Sequence, residues 1–175
     1  LDVLITGQSN SVGRISKLYK NDGMGHFSEV AGTPFLGVRA GSVTFSDVDG
    51  DHDQDVLITG YAPFSVYAAR LYKNNGLGEY VLAPNLPLVG LVGVSGGSAA
   101  FSDVDGDNDP DVLITGLTSS GASIAKLYLN GGTGNYTVVT GTPFEGVEGS
   151  DSVAFADVDG DNDPDVLIAG RNNMD

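Results

Sequence analysis

The sequence contains three nine-residue segments in which every second residue is aspartate. The first reads DVDGDHDQD, and the other two both read DVDGDNDPD. Carboxylates that alternate along a short loop can all turn toward one centre, where they would bind a metal ion through oxygen. Fifteen of the 23 acidic residues belong to these segments, namely Asp47, Asp49, Asp51, Asp53, Asp55, Asp103, Asp105, Asp107, Asp109, Asp111, Asp157, Asp159, Asp161, Asp163 and Asp165.

The donor set is hard, anionic and made only of oxygen, which favours Ca²⁺ over Mg²⁺ and Zn²⁺. In each segment we predict side-chain ligands at positions 1, 3, 5 and 9 and a backbone carbonyl ligand at position 7. The sequence therefore predicts three calcium sites per chain, which would change the formal net charge from −15 to −9. The predicted sets are Asp47, Asp49, Asp51 and Asp55 with the carbonyl of Asp53; Asp103, Asp105, Asp107 and Asp111 with Asp109; and Asp157, Asp159, Asp161 and Asp165 with Asp163.

Position 6 of each segment must turn sharply. Asn108 and Asn162 tolerate a left-handed backbone better than His52 does, so we expect the first site to be slightly the weakest. One alternative is an acidic turn that only faces water, but five carboxylates in one loop would repel each other without a cation. A helix–loop–helix calcium site is a second alternative. It does not fit, because this sequence has neither a Glu at position 12 of the loop nor amphipathic helices on either side.

The acidic segments belong to a longer repeat. They begin at residues 47, 103 and 157, and other phrases recur in phase with them: KLYKNDGMGHF at 17–27, RLYKNNGLGEY at 70–80 and KLYLNGGTGNY at 126–136. Each acidic segment also runs into DVLITG or DVLIAG, and LDVLITG stands at 1–7. Self-similarity at such a period is typical of arrays, solenoids and propellers.

Each period reads as four short strands. Strand A is at 43–45, 99–101 and 153–155, strand B is the DVLITG run, and strand C is around 14–20, 67–73 and 123–129. Strand D follows Asn/Gly turns that supply the positive φ of tight hairpins. No 3.6-residue apolar period persists, so the predicted fold is all-β, with propeller blades of four antiparallel strands.

The chain is one continuous array of repeats, with no linker between them. We predict a partial blade and the first acidic loop at 1–54, a second repeat at 55–110, a third at 111–164 and the start of a fourth at 165–175. This makes thirteen strands: B, C and D at the start, two complete blades, and A and B at the end.

Composition excludes several classes of function. Eight Lys and Arg residues against 23 Asp and Glu do not form the basic surface that nucleic acids or anionic membranes require. The absence of cysteine removes disulfides, thiolate metal sites and a cysteine nucleophile. Only two histidines exist, and neither belongs to a recognisable catalytic set, so we expect a protein that is not an enzyme.

The motifs SxxFSDVDGDxDxDVLITG, KLYxNxGxG(F/Y) and TPFxGV resemble the FG-GAP repeats of integrin α-subunit propellers and their bacterial FG-GAP-like or VCBS relatives. The resemblance covers essentially the whole chain. It implies a calcium-stabilised propeller, secreted or at the cell surface, that serves in adhesion or ligand recognition. The chain departs from the family because it has about three repeats instead of about seven, and because no GAP follows strand B.

A ring of blades needs at least about four members, so we expect a piece of a longer propeller or an association of copies. The start at Leu1 instead of Met likewise suggests a mature or cut segment. Our hypothesis is a homodimer of about six blades, in which the C-terminal A strand of one chain completes the B–C–D sheet of another.

The acidic loops and Asn/Gly turns should lie at one face of the ring, and the divergent B–C connections at the other. Divergent loops are free to carry recognition, so we predict a ligand face there. The candidate ligand is an extracellular protein. The alternatives are a glycan that stacks on Tyr61 or Tyr67, or a purely structural segment of a larger surface protein. The predicted contact residues are Arg14, Tyr61, Phe64, Tyr67 and Arg70.

Overall fold

The computed structural model describes residues 1–83 and 94–172, which form thirteen β-strands. Residues 84–93 of the predicted repeat 55–110, and 173–175 of the last segment, lie outside the described residues. The strands are β1 Val3–Ser9, β2 Gly13–Asn21, β3 Phe27–Glu29, β4 Val43–Ser46, β5 Asp55–Ala62, β6 Val66–Asn74, β7 Tyr80–Leu82, β8 Ala99–Ser102, β9 Asp111–Leu117, β10 Ser123–Asn130, β11 Tyr136–Val138, β12 Glu148–Ala156 and β13 Asp165–Arg171.

The strands form four antiparallel sheets in which neighbours in sequence are neighbours in space. Sheet I contains β1–β3, sheet II β4–β7, sheet III β8–β11 and sheet IV β12–β13. The grouping into three, four, four and two strands is the one that the repeat predicts. The described residues therefore form an all-β, propeller-like array whose complete sheets have four strands. No helix in the described part of the chain is long and apolar enough to cross a membrane.

The cores lie between consecutive sheets. On β5, Val56 and Ile58 belong to an apolar cluster that also contains Leu18 of sheet I. Leu57, between them in sequence, belongs to the cluster with Val112 of sheet III. Alternate side chains of a strand face opposite ways, so this central strand is buried on both faces and needs the continuous apolar run that it carries.

The predicted strands agree with the observed ones except at one boundary. Strand A of sheet IV was expected at 153–155, whereas β12 begins at Glu148. Of the additional residues, Glu148 pairs with Arg171 and Ser152 with Ala169, and a β-bulge lies between these two pairs. A bulge interrupts the two-residue alternation, so the early part of this strand lacks the sequence pattern of a strand.

Buried tyrosines should make the fold sensitive to alkali. Burial raises the pKa of Tyr128 to about 12 and also raises the pKa of Tyr72, whose hydroxyl oxygen accepts the N–H of Leu36 at 2.9 Å. Tyrosines of the unfolded chain lose their protons near pH ~10, whereas the folded chain keeps them. The free energy of unfolding should therefore fall between pH ~10 and ~12, by up to about 1.4 kcal/mol per pH unit for each such tyrosine.

Urea unfolding at a series of alkaline pH values, read together with tyrosinate absorbance, measures this slope. Tyr128→Phe removes one titrating group and should make the slope shallower. An unchanged slope in that variant would show that Tyr128 does not couple to folding.

Candidate metal centres and the opposite face

Three clusters of carboxylates lie in the loops between strands A and B. In each cluster one ligand atom per residue can be chosen so that all lie within 4.8 Å of one another. The clusters contain positions 1, 3 and 9 of the acidic segments and become more exposed along the chain. They are Asp47, Asp49 and Asp55; Asp103, Asp105 and Asp111; and Asp157, Asp159 and Asp165.

The carboxylate at position 9 fastens the loop to the sheet. Asp55 is 1% exposed and accepts backbone N–H groups from Val48, at 3.1 Å, and from Asn74, at 2.8 Å. Asp111 makes the same two bonds with Val104 and Asn130. Burial raises the pKa of both carboxyls, and the negative charges of neighbouring aspartates add to the shift, although the N–H donors oppose it. A bound cation would reverse this penalty.

The carboxylate at position 1 closes the loop on itself. Asp47 accepts the N–H groups of Gly50, Asp51 and His52 at 2.8–3.1 Å. In the third loop, the N–H groups of Gly160 and Asn162 hold the pKa of Asp157 below its usual value. These bonds use only part of the acceptor capacity of a carboxylate, which leaves oxygen lone pairs for a cation.

The carboxylate at position 3 provides the clearest test of whether a metal ion fits. Asp49 Oδ1 is buried and accepts no hydrogen bond. A buried oxygen without a donor is costly, and the other cluster oxygens are within 4.8 Å of this residue's ligand atom. The residues present therefore fit a hard cation. Asp49 Oδ2 also contacts Lys73 Nζ at 2.7 Å, so the first loop already holds one positive charge.

Positions 5 and 7 do not belong to these three-residue clusters. Asp51 Oδ1 accepts the N–H of Asp53 at 3.0 Å, and Asp107 does the same for Asp109. Their roles as ligands stay predictions. Burial raises the pKa of Asp109, and the charges of the other aspartates of its loop add to the shift.

Position 6 adopts the left-handed backbone that the sequence predicts. The φ angle is 71° at His52, 69° at Asn108 and 72° at Asn162. Asparagine and histidine are both among the residue types enriched in this conformation, and the expectation of a weaker first site stays a prediction.

The Asn/Gly turns lie beside the acidic loops, as the strand order predicts. A Cβ placed on Gly76 would come within 2.6 Å of Asp53 Oδ2, and Gly132 has the same relation to Asp109. Only glycine permits such an approach with positive φ. The turn of sheet III also covers the loop of sheet II, because Asn130 Nδ2 donates to the carbonyl of Val48 at 2.8 Å.

Lys73 and Asn130 were not singled out by the sequence. Lys73 Nζ joins Asp49 of its own sheet to the carbonyl of Thr133 in the next sheet, at 2.9 Å. The repeat does contain one signal, since the position of Lys73 is occupied by Lys20 in sheet I and by Leu129 in sheet III. The first and second complete loops therefore differ in local charge.

The opposite face brings together three of the five predicted contact residues. The guanidinium of Arg14 lies 4.6 Å from the ring centroid of Tyr61, and Tyr67 meets the same ring edge-on at 5.1 Å. Arg39, which the sequence did not indicate, also lies against the ring, at 5.1 Å. Because guanidinium groups pack on the Tyr61 ring, this ring offers less free surface for stacking a sugar.

The other two predicted contact residues make no ring or cation–π contact with Tyr61 among the described side chains. Phe64 is 97% exposed in the short 3-10 turn Pro63–Ser65 between β5 and β6, with φ of 60°. Arg70 is exposed on β6, where its backbone pairs with Ile58.

Repeated antiparallel sheets, three of which carry an oxygen-rich loop between their first two strands, define a β-repeat protein of the propeller-like class. The family model described as "FG-GAP-like repeat" matches residues 1–58 and 103–168. Because these ranges make up more than half of the chain, the protein belongs to the FG-GAP-like repeat family. No curated protein matches the sequence.

The position-9 contact can be tested without metal. Asp111→Asn places an amide N–H₂ against one of two backbone N–H donors, so we expect a loss of about 2 kcal/mol of unfolding free energy in a chelator. Asp165 is exposed and accepts one backbone N–H, from Val158 at 3.1 Å, so Asp165→Asn is the matched control with a smaller loss. Denaturant unfolding measures both variants, and equal losses would mean that burial does not set the strength of this contact.

Proposed function

We propose that this chain is a calcium-stabilised, non-catalytic module that binds an extracellular protein ligand through the face carrying the B–C connections. The observation that carries the proposal is the contrast between the two ends of the sheets. At one end, loop carboxylates and glycine turns recur with the same contacts. At the other end, the repeated positions carry unrelated side chains, and loops under no structural demand are free to evolve recognition.

Calcium would be held by the clustered carboxylates at positions 1, 3 and 9 of each loop. When bound, it would supply positive charge to oxygens that otherwise repel one another, and so it would stabilise the loops. The chain's own residues do the remaining work. Asp55 and Asp111 anchor the loops to the strands, while the position-1 carboxylates hold the loop backbone in place.

Removal of calcium should destabilise the fold. A site that is present only in the native loop adds about 2.7 kcal/mol when calcium is a hundredfold above its Kd, so a chelator should lower the Tm by several degrees. Asp105 is exposed and accepts no hydrogen bond within the described residues. Asp105→Asn should therefore reduce the calcium-dependent rise in Tm while leaving the Tm in chelator nearly unchanged.

Scanning calorimetry measures the Tm in three solutions: chelator, calcium, and chelator that has already been loaded with calcium. A Tm that is the same in all three solutions would exclude a structural calcium. Restoration of the Tm by magnesium as well as by calcium would exclude selectivity for calcium.

We also propose that a second copy of the chain packs against its end faces, giving a homodimer or larger ring. Sheet I presents Val3 and Ile5 at its outer face, 39% and 47% exposed. The repeat equivalents of Ile5, which are Ile58 and Ile114, are both 0% exposed because the preceding sheet covers them. The outer face of sheet I therefore has the residue types of a sheet-to-sheet contact.

The outer face of sheet IV is complementary to it. Val158 and Leu167 are 78% and 68% exposed, whereas their repeat equivalents in sheet II, Val48 and Leu57, are 0% and 2% exposed against sheet III. Stacking of sheet IV of one copy on sheet I of another would reproduce the contact between sheets II and III. This stacking leaves β12 paired with β13, as it is within the chain.

Light scattering in millimolar calcium tests this association. We expect the mass of a dimer or a larger closed ring at micromolar concentration, and Val158→Asp should reduce it to the mass of one chain by placing a charge in the apolar contact. Val12→Asp is a control, because Val12 is 68% exposed in the turn between β1 and β2. A monomer for the unmodified chain would overturn the association.

Binding itself is then tested on the calcium-loaded chain with arrays of matrix proteins and of glycans. Protein binding that Phe64→Ala weakens supports the proposal. Binding confined to glycans would support the lectin-like alternative, and no binding by a closed ring would support a structural segment.

A further inference from the structure

Two arginines from different parts of the chain meet at one tyrosine ring. Arg14 is on β2 of sheet I, and Tyr61 is near the end of β5 in sheet II. Arg39 is on the connection between these sheets, and its N–H and carbonyl both pair with the backbone of Tyr61, at 3.1 and 2.9 Å. The backbone around these residues is therefore held on both sides by neighbouring sheets.

The same connection is anchored to sheet I. The backbone of Val38 forms a bridge with Ile15, and a Cβ on Gly37 would come within 2.3 Å of the carbonyl of Arg14. Ser16 Oγ donates to the carbonyl of Leu36 at 2.8 Å. These contacts fix the backbone that carries Arg14 and Arg39, so a ligand would not have to order it, which lowers the entropy that binding would cost.

Both positive charges lack an acidic partner. Among the side chains that the structure describes, neither Arg14 nor Arg39 forms an ion pair with a carboxylate, although the chain carries 23 acidic residues. A guanidinium that stacks on a ring keeps the N–H groups at its edge free to donate. Each guanidinium is a planar fork of N–H donors that matches the two oxygens of a carboxylate, and two of them lie against this one ring.

The equivalent positions in the other sheets do not leave such charges unpaired. In sheet III, the backbone bridge equivalent to that between Arg39 and Tyr61 joins Ser95 and Leu117, which are both uncharged. In sheet IV they are Glu148 and Arg171, and the two side chains form an ion pair at 3.1 Å. Sheet IV thus contains, within the chain, the carboxylate–guanidinium contact that the cluster of Arg14, Tyr61 and Arg39 lacks.

We infer that Arg14 and Arg39, held against Tyr61, bind the carboxylate of an Asp or Glu side chain on a protein partner. The inference rests on the proposed function and names the chemistry of its ligand. Phe64 lies at the tip of the neighbouring turn, 97% exposed, with φ of 60° and ψ of 30°. A left-handed backbone is energetically unfavourable for a bulky residue, and backbone strain of this kind is concentrated at binding sites. Phe64 would therefore contact an apolar group next to the carboxylate.

A protein carboxylate fits the cluster better than an acidic polysaccharide does. A polysaccharide presents many negative charges, and the net charge of −15 would repel them, whereas one carboxylate in a neutral segment meets little of this repulsion. Sugars also bind by stacking on free aromatic faces, and the Tyr61 ring is already packed against arginine.

The test uses blocked Gly-Glu-Gly and Gly-Gln-Gly peptides, together with glucuronate, added to the full chain in calcium. Arginine Nε–H resonances in NMR spectra report on the site directly. We expect saturable shifts at Arg14 and Arg39 with the Glu peptide and none with the Gln peptide. Arg14→Gln and Arg39→Gln should each lower the affinity for the Glu peptide by about tenfold, which is the effect of losing one charge-assisted hydrogen bond.

Lys126→Gln is the matched control, because it removes the same charge from β10 of sheet III and should leave the peptide affinity unchanged. Absence of a saturable shift would overturn the site, as would an unchanged affinity for the Glu peptide in both single variants, read at the arginine that remains. Tighter binding of glucuronate than of the Glu peptide would overturn the assignment to a protein partner. Failure of the site together with positive protein arrays would leave the proposed function in place with its ligand bound elsewhere.

Discussion

The buried carboxylate at position 9 of the acidic loop is the contact on which the sheets depend. Asp55 joins the beginning of its loop, through Val48, to the end of the third strand, through Asn74. It does so although it is 1% exposed and lies next to other carboxylates, both of which raise its pKa. A buried negative charge is tolerated only when donors or cations surround it, so one residue imposes the loop hydrogen bonds and the demand for a cation at the same point.

The contact between consecutive sheets follows from this loop. Once Asp55 holds the loop, Val48 packs in the core between sheets II and III, and its carbonyl accepts the side-chain amide of Asn130. Lys73 adds a bond to the neighbouring turn. The same constraint does not reach the other end of the sheets, where the backbone bridge at Tyr61 and Arg39 recurs at Ser95 and Leu117. A backbone bridge makes no demand on side-chain type, so these positions can differ.

The strands were predictable because two independent signals occur in each repeat: an apolar run with β-branched residues in strand B, and Asn/Gly turns between strands C and D. The clusters at positions 1, 3 and 9 were predictable because their spacing is local. Lys73 was not, since its two partners are 24 and 60 residues away. Arg39 directly follows the repeated motif TPFxGV, but its contact with Tyr61 depends on packing between sheets and could not be predicted from the sequence. The early start of β12 was missed because a bulge breaks the alternation that marks a strand.

The sequence by itself determined the repeat, the all-β class and the oxygen chemistry of the loops, because these depend on residue types at short spacings. Tertiary structure alone decided how deeply each of the three loops is buried. Asp55 is buried while Asp165 is exposed, although their segments are nearly identical, because burial depends on which sheet packs above each loop. It also decided that arginines cover the Tyr61 ring, since residues 14, 39 and 61 are brought together by packing between two sheets.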